Sequence, residues 1–225
     1  MKKNLFFILL KINKLISMSK FCYLIIVAFG ILNFQGDKRQ EVKVEIEFVK
    51  NGYDDYKVFA RETIQKLQIV LNSDEFRKSI KNGIFLETNN LNNSELFETI
   101  INGYEVQCPE KYLDNNVSCN KGEKGLINLK VRTIDNSDHK KWLRRCAKKP
   151  RRGSTIGIDG VGDGVTAICP QRLQSWSASS KYGDLGGHFM HEYMHILGFS
   201  HNKKKSKSAV YQIGNIVKEL IDKNN

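Results

Sequence analysis

The chain has 225 residues and a formal net charge of +12 at pH 7, and five lysines among its first 36 residues supply +5 of that charge. The +7 that remains is only moderately basic, so charge alone does not indicate a nucleic-acid-binding protein. Three prolines and the lack of any internal repeat or low-complexity tract exclude a repeat array, and about 190 residues suffice for one domain with a hydrophobic core.

Residues 1–36 predict a secretory signal peptide, and an N-terminal membrane anchor is the alternative. Lysines without any acidic residue precede the apolar run 21–34, which is shorter than the roughly 20 residues of a typical membrane span. Met18 is an alternative start, and no small-x-small cleavage site follows Phe34. We expect an exported protein, secreted or held in the periplasm or at the cell surface, that contacts a membrane only if this segment is retained.

Four cysteines follow the apolar run, and an even number in an exported chain predicts two disulfides. Free or metal-binding thiols are the alternative, although no C-x-x-C pair is present. Three pairings are open. One of them joins the first cysteine to the second and the third to the fourth. The four residues are Cys108, Cys119, Cys146 and Cys169.

Residues 41–71 predict a strand followed by a long helix. Apolar and charged residues alternate over 41–50, which is typical of a half-buried strand. Apolar residues then recur at helical spacing over 53–71, with Val58 among them. We expect this helix to pack on the sheet.

Polar residues mark two further helices, and a second strand follows them. Residues 74–81 predict a short helix. Ser94 is the predicted cap of a third helix that ends near residue 101, and residues 125–134 predict the second strand.

The densest basic cluster, residues 140–152, has two interpretations. It offers a binding surface to an anionic partner such as nucleic acid, lipid headgroups or an acidic polymer. A solvated strand edge and loop is the other interpretation, and we favour it because Trp142 alone provides a stacking surface. We therefore expect no nucleic-acid partner.

A stretch of fifteen residues, GHFMHEYMHILGFSH, contains the pattern H-E-x-x-H-x-x-G-x-x-H. On an α-helix, His191 and His195 lie four residues apart on one face and point two imidazoles at a single ion. Glu192 is placed where its carboxylate reaches a water at that ion as general base. Gly198 is suited to end the helix in a left-handed conformation, and the chain then returns with His201 as a third ligand.

Three histidine ligands leave the fourth tetrahedral position of a zinc ion open, which is the arrangement of a catalytic site. The alternative is a helix whose histidines serve packing only. Four of the five histidines of the chain fall within this stretch, so we favour the metal site.

The pattern resembles the zinc signature of the metzincin superfamily of metalloendopeptidases, and its spacing is closest to matrixin-like members. The resemblance implies one catalytic Zn²⁺ held by His191, His195 and His201, with Glu192 as the catalytic residue. It also implies an α+β metzincin-like (zincin) domain over residues 37–225. That fold has a twisted mixed β-sheet packed on two long helices, one of which carries HExxH, and a C-terminal helix.

One part of the family pattern differs in this chain. Metzincins have a methionine turn beneath the metal, whereas no methionine follows Met194 here. The counterpart of that turn is 208–211, with Val210 in place of the methionine. Tyr211 is a candidate for assisting the transition state, and a structural role is the alternative. An amphipathic helix over 213–221 is expected to close the lower part of the cleft.

Residues 154–171 predict two short strands around a glycine-rich turn, 157–164. Matrixin-like domains carry a similar loop that can hold calcium, so the resemblance makes Asp159 and Asp163 candidate Ca²⁺ ligands. We favour a plain hairpin loop. The second strand, 165–169, is placed where metzincins have the edge strand along which a peptide substrate lies.

The remaining residues of the active-site helix have expected positions as well. The polar segment 174–184 leads into the helix, which we expect to open over residues 185–187. Met190 and Met194 lie at helical spacing and are expected to fill the core. His188 is expected to be partly exposed, one turn before the first ligand.

These features predict a zinc-dependent endopeptidase, a monomer that acts on polypeptide substrates with one catalytic Zn²⁺. A non-catalytic zinc-containing surface or binding protein is one alternative, and zinc binding without turnover would distinguish it. A basic polyanion-binding module is the other, and salt-sensitive binding to DNA or heparin would distinguish that.

Overall fold

The chain is described from a computed structural model. The predicted signal segment, Cys108, Cys119, and the candidate calcium ligands Asp159 and Asp163 lie outside the described residues. The structure describes residues 41–49, 53–106, 123–136, 140–148, 164–201 and 205–225.

Three strands, Lys43–Phe48 (β1), Leu126–Thr133 (β2) and Thr166–Ile168 (β3), form a small sheet in the order β1-β2-β3. They confirm three of the predicted strands, and the short strand predicted before the glycine-rich turn lies outside the described residues. Val44 lies opposite Ile127, and Val131 lies opposite Thr166. Both strand pairings are parallel, so the mixed sheet is wrong for the described strands. Parallel neighbours need a long crossover, and helices occupy the chain between β1 and β2.

The helices together with the sheet give an α+β fold. The first three helices and the last one confirm predicted helices. Short 3₁₀ turns lie at Asp54–Tyr56 and Lys205–Lys207. Among the described residues no helix has both the length and the apolar character needed to span a bilayer. The helices are Lys57–Leu71 (α1), Asp74–Asn82 (α2), Asn93–Asn102 (α3), Lys140–Lys148 (α4), Pro170–Ala178 (α5), Tyr182–Ile196 (α6) and Ala209–Lys223 (α7).

Two of these helices occupy segments that the sequence indicated as irregular. Helix α4 covers most of the basic cluster, so the prediction that this cluster forms a strand edge and loop is wrong. Its leucine, arginines, lysines and alanine are all good helix formers, which explains the difference. Helix α5 covers part of the predicted polar lead-in, and Pro170 at its first position has the fixed φ that suits a helix start.

Polar side chains cap the N-termini of α2 and α3. Ser73 Oγ accepts a hydrogen bond from the backbone N–H of Phe76 at 3.1 Å. Helix α3 is capped by Asn92 rather than by Ser94, because Asn92 Oδ1 accepts from the N–H groups of Ser94 and Glu95. The Glu95 carboxylate accepts from the Asn92 N–H at 2.9 Å. This reciprocal capping box satisfies N–H groups that the helix itself leaves unbonded.

The core lies between the helices and one face of the sheet. Helix α1 packs against β1 and α6, and its Phe59, Ile64 and Leu67 side chains are buried. Val58 is 71% exposed, so its expected place on the packed face is wrong. The buried positions begin one residue later, at Phe59, and follow the helical period from there.

A buried ion pair joins the sheet to the end of α6. Lys130 Nζ on β2 donates to both carboxylate oxygens of Glu105, at 2.9 and 2.7 Å, and both side chains are fully buried. Pairing with hydrogen bonds offsets the penalty of burying each charge alone. The next residue, Val106, donates its backbone N–H to the Ile196 carbonyl at 3.0 Å. The ion pair therefore anchors a segment that touches the last turn of α6.

Helices α6 and α7 pack with their backbones in direct contact. A Cβ atom on Gly187 would lie 2.6 Å from the Gly214 carbonyl oxygen. A Cβ atom on Gly214 would lie 2.8 Å from the Gly187 carbonyl oxygen and 3.3 Å from His191 Cβ. Only glycine fits at both positions without moving the helices apart. This close packing brings the first turn of α7 next to the histidines of α6.

A disulfide joins α4 to the residue that precedes α5. Cys146 and Cys169 are bonded, with their Cα atoms 5.5 Å apart. This bond belongs to one of the three pairings that the sequence left open. It ties the basic helix to the end of β3.

Candidate metal centre

Helix α6 carries the H-E-x-x-H part of the pattern. It begins at Tyr182, a few residues before the predicted opening, and ends at Ile196. Gly198 follows with φ of +92°, a conformation that L side chains rarely adopt. The predicted turn at this glycine is therefore present.

The end of α6 has the two hydrogen bonds of a Schellman motif. The Gly198 N–H donates to the His195 carbonyl, and the Phe199 N–H donates to the Met194 carbonyl, both at 2.9 Å. Phe199 and Met194 are both buried and belong to the main core cluster, as suits the apolar positions of this motif. The chain thus reverses direction immediately after the second histidine.

This reversal brings the three predicted histidine ligands together. The ring centroids of His191, His195 and His201 are 4.9 to 5.4 Å apart. One ring nitrogen from each lies within 4.8 Å of the other two. Nitrogen ligands of a tetrahedral zinc stand about 3.3 Å apart, given Zn–N bonds of about 2.0–2.1 Å, and small side-chain rotations close that difference. The three residues could therefore hold a metal ion.

The orientation of one imidazole is fixed by a backbone carbonyl. His195 Nδ1 lies 2.8 Å from the Phe199 carbonyl oxygen. Because a carbonyl only accepts, Nδ1 carries the proton and Nε2 keeps its lone pair for a metal. Burial lowers the pKa of His195, while the Phe199 hydrogen bond opposes this shift. The ring is therefore neutral at pH 7, as a metal ligand must be.

Tyr211 on α7 borders two of the histidines. Its ring centroid is 4.4 Å from that of His191, in an edge-to-face arrangement, and 4.7 Å from that of His201. Burial, and then the negative charge of Glu192, raises the pKa of the Tyr211 hydroxyl. The phenol therefore keeps its proton at neutral pH. The structure places this predicted site residue at the cluster.

The segment before Tyr211 differs from the turn that the resemblance implied. Ser208 caps α7 by accepting the Tyr211 N–H at 3.4 Å, and the helix begins at Ala209. Val210, the counterpart of the turn methionine, is a fully buried residue in the first helical turn. The expectation of a turn over these residues is wrong, because Ser208 is a favourable helix cap.

Glu192 is buried beside the histidines. Its side chain is 7% exposed, and Oε1 lies 3.9 Å from His191 Nε2. Burial raises the pKa of this carboxyl to about 8. A carboxyl that binds its proton near neutral pH is suited to accept and release one during a reaction.

His188 is a neighbour of Glu192 that the sequence placed wrongly. It is 7% exposed rather than partly exposed, with Nδ1 3.7 Å from Glu192 Oε1. Burial, the charge on His191 and then Arg172 lower the pKa of His188 well below its usual value. Its Nε2 has no hydrogen-bond partner in the described structure. The i,i+4 spacing to Glu192 was the available signal, since such residues share a helix face.

The other predicted core residues of α6 are confirmed. Met190 and Met194 are fully buried and belong to the main core cluster. Tyr193 is also fully buried, which raises the pKa of its hydroxyl. These buried side chains anchor the helix in the core, so the histidines that it carries keep a fixed direction.

Searches against protein-family models, curated proteins and solved structures found no match to this chain.

Proposed function

We propose that the chain is a zinc-dependent endopeptidase. The single observation that carries the proposal is the approach of three imidazoles within 4.8 Å of one another beside a buried carboxylate. His191, His195 and His201 would hold the ion. Three neutral nitrogen donors suit Zn²⁺ and leave a position for substrate. Zinc bound there polarises a carbonyl and makes water more acidic.

In this proposal Glu192 moves the proton. Its Oε1 takes a proton from the attacking water and later gives it to the departing amine. Burial favours this role, because the raised pKa of about 8 gives the carboxylate a higher proton affinity than an exposed glutamate has. Tyr211 is the candidate for a hydrogen bond to the oxygen on which charge develops, since its ring borders His191 and His201.

The substrate in this proposal is a polypeptide in an extended conformation. Strand β3 lies at one end of the described sheet, directly before α5 and α6. A peptide can add to such a strand through backbone hydrogen bonds. We propose that the protein acts as a monomer.

We also propose that the protein is exported. The basic and apolar composition of residues 1–36 is that of a signal segment. The Cys146–Cys169 disulfide is of the kind that persists in oxidising compartments.

The test is metal analysis of the purified full chain together with cleavage of a peptide library. We expect one zinc ion per chain and cleavage that a chelator abolishes and added zinc restores. Bound zinc without cleavage of any peptide would support the non-catalytic alternative. Cleavage that persists after complete removal of metal would contradict the proposal.

A further inference from the structure

One short segment contacts both ends of the stretch that carries the third histidine. That stretch runs from Gly198 to Lys207, and the segment is residues 86–89, which we call the strap. At the far end, the Leu86 N–H donates to the Lys207 carbonyl at 2.9 Å, and the Ala209 N–H donates to the Leu86 carbonyl at 2.8 Å. These bonds form a parallel bridge to Ser208, the cap of α7.

The near end is held by a side chain of the strap. Asn89 Nδ2 donates to the Gly198 carbonyl at 3.2 Å, across 109 positions of sequence. Gly198 is the residue whose left-handed conformation turns the chain after α6. The strap therefore links the start of the third-histidine stretch to its end.

The backbone of this region is unusual. Glu87, Asn89 and the adjacent Asn90 have φ values of +59°, +55° and +64°. Residues other than glycine adopt this conformation as single positions, and asparagine does so more readily than most. Such conformations persist where surrounding contacts determine them. The bonds to Lys207, Ala209 and Gly198 are contacts of that kind.

We propose that the strap positions His201 for the metal, and that Asn89 is the positioning residue. The inference rests on the metal site of the proposed function. Helix α6 presents His191 and His195 through its own backbone, whereas His201 follows the Gly198 turn, and the strap bonds to Gly198 before it and to Lys207 after it. Without the Asn89 bond the turn at Gly198 samples more conformations, and the cost of ordering it weakens metal binding.

The test compares Asn89→Gly with Asn90→Gly in the metal-free full chain. Glycine accepts the same positive φ, so both variants keep the backbone and lose a side chain. Only the first loses a bond to Gly198, because Asn90 makes none in the described structure. Zinc affinity is measured by competition with a chelating dye. We expect Asn89→Gly to bind zinc about twofold to fivefold more weakly than wild type, and Asn90→Gly to bind as wild type does.

A second arm separates positioning from general destabilisation. In a His201→Ala background, Asn89→Gly is expected to change zinc affinity no further, since its effect acts through His201. Hydrogen exchange at residues 199–201 and 205–207 is expected to be faster in Asn89→Gly than in Asn90→Gly. Equal affinity in wild type and both variants, or an Asn89→Gly effect that persists without His201, would overturn the inference. Failure of the wild-type chain to bind zinc would instead overturn the proposed function and the strap's role with it.

Discussion

The two halves of the candidate metal centre are built differently. Helix α6 presents His191, Glu192 and His195 through its own periodicity, and its buried residues anchor it in the core. The stretch after Gly198 presents His201 through contacts with residues far away in sequence. The comparison teaches that two of the proposed ligands and the proposed base are encoded by local sequence, whereas the position of the third proposed ligand depends on the tertiary fold.

The largest expected effect comes from the helical half. Glu192→Gln removes the proton acceptor but keeps the size of the side chain and all three histidines. We expect hydrolysis of an unfolded test protein to fall by about 10³-fold, within the range of general acid–base catalysis, while bound zinc is unchanged. Initial rates and metal content are measured on the same preparation. A wild-type rate would exclude Glu192 as the base.

Substitutions at two adjacent glycines of α6 test how closely this helix packs against α7. A Cβ on Gly187 meets the Gly214 backbone, whereas a Cβ on Gly186 meets the end of the flexible Ile221 side chain. We expect Gly187→Ala to lower the free energy of unfolding by about 2 to 3 kcal/mol, because two backbones must separate. Gly186→Ala should stay within about 1 kcal/mol of wild type, since alanine also favours the helix. Denaturant unfolding measures both, and equal stabilities would contradict the described packing.

Burial of Glu192 predicts a dependence of stability on pH. Burial raises the pKa of this carboxyl from 4.5 to about 8, so the folded metal-free protein holds a proton that the unfolded chain releases. This stabilisation is fully present below pH 4.5 and is lost as pH rises to about 8. Between pH 6.5 and 8 we expect the free energy of unfolding to fall by at most about 2 kcal/mol.

Glu192→Gln is the control for this pH dependence, because it removes the titrating group alone. The folded protein lowers the pKa values of His188 and His195. Their contribution to stability therefore rises with pH only up to about the pKa that each histidine has in the unfolded chain. Urea unfolding at a series of pH values compares the two proteins without metal. The same slope in both would show that Glu192 is not buried as described.

The smallest expected effect lies in the half that carries His201. The nearest atoms that an alanine Cβ at Gly198 would meet are Val106 side-chain atoms at 3.5 to 3.8 Å, which is ordinary contact. The penalty is therefore conformational, and we expect Gly198→Ala to lower the free energy of unfolding by about 1 kcal/mol. Thermal or urea unfolding checks this value. A stability equal to wild type would contradict the left-handed turn at this residue.

The sequence was informative where local spacing decides the structure. The strands around Val44 and Val131, the helix with His191 and His195, and the turn at Gly198 all follow from periodicity and residue type. The burial of His188 did not follow, because it depends on helix α5, which the sequence did not indicate.

Two further features depend on contacts between residues that are distant in sequence. The strap was not predicted, because its bond from Asn89 to Gly198 joins residues 109 positions apart. The position of Tyr211 beside His191 depends on the contact between Gly187 and Gly214. The start of α7 at Ala209 follows from the Ser208 cap, which is a local signal. The family resemblance instead implied a turn at these residues.

Zinc titration of the metal-free full chain tests the central claim most directly. Wild type is compared with His195→Ala from the helical half, His201→Ala from the other half, and His139→Ala as a control outside the pattern. We predict one zinc ion per chain for wild type and the control, and zinc affinity at least about 100-fold weaker in both histidine variants. That loss exceeds what usually follows from removing a residue that only hydrogen-bonds a metal ligand. No zinc binding by wild type, or wild-type affinity in both ligand variants, would contradict the account.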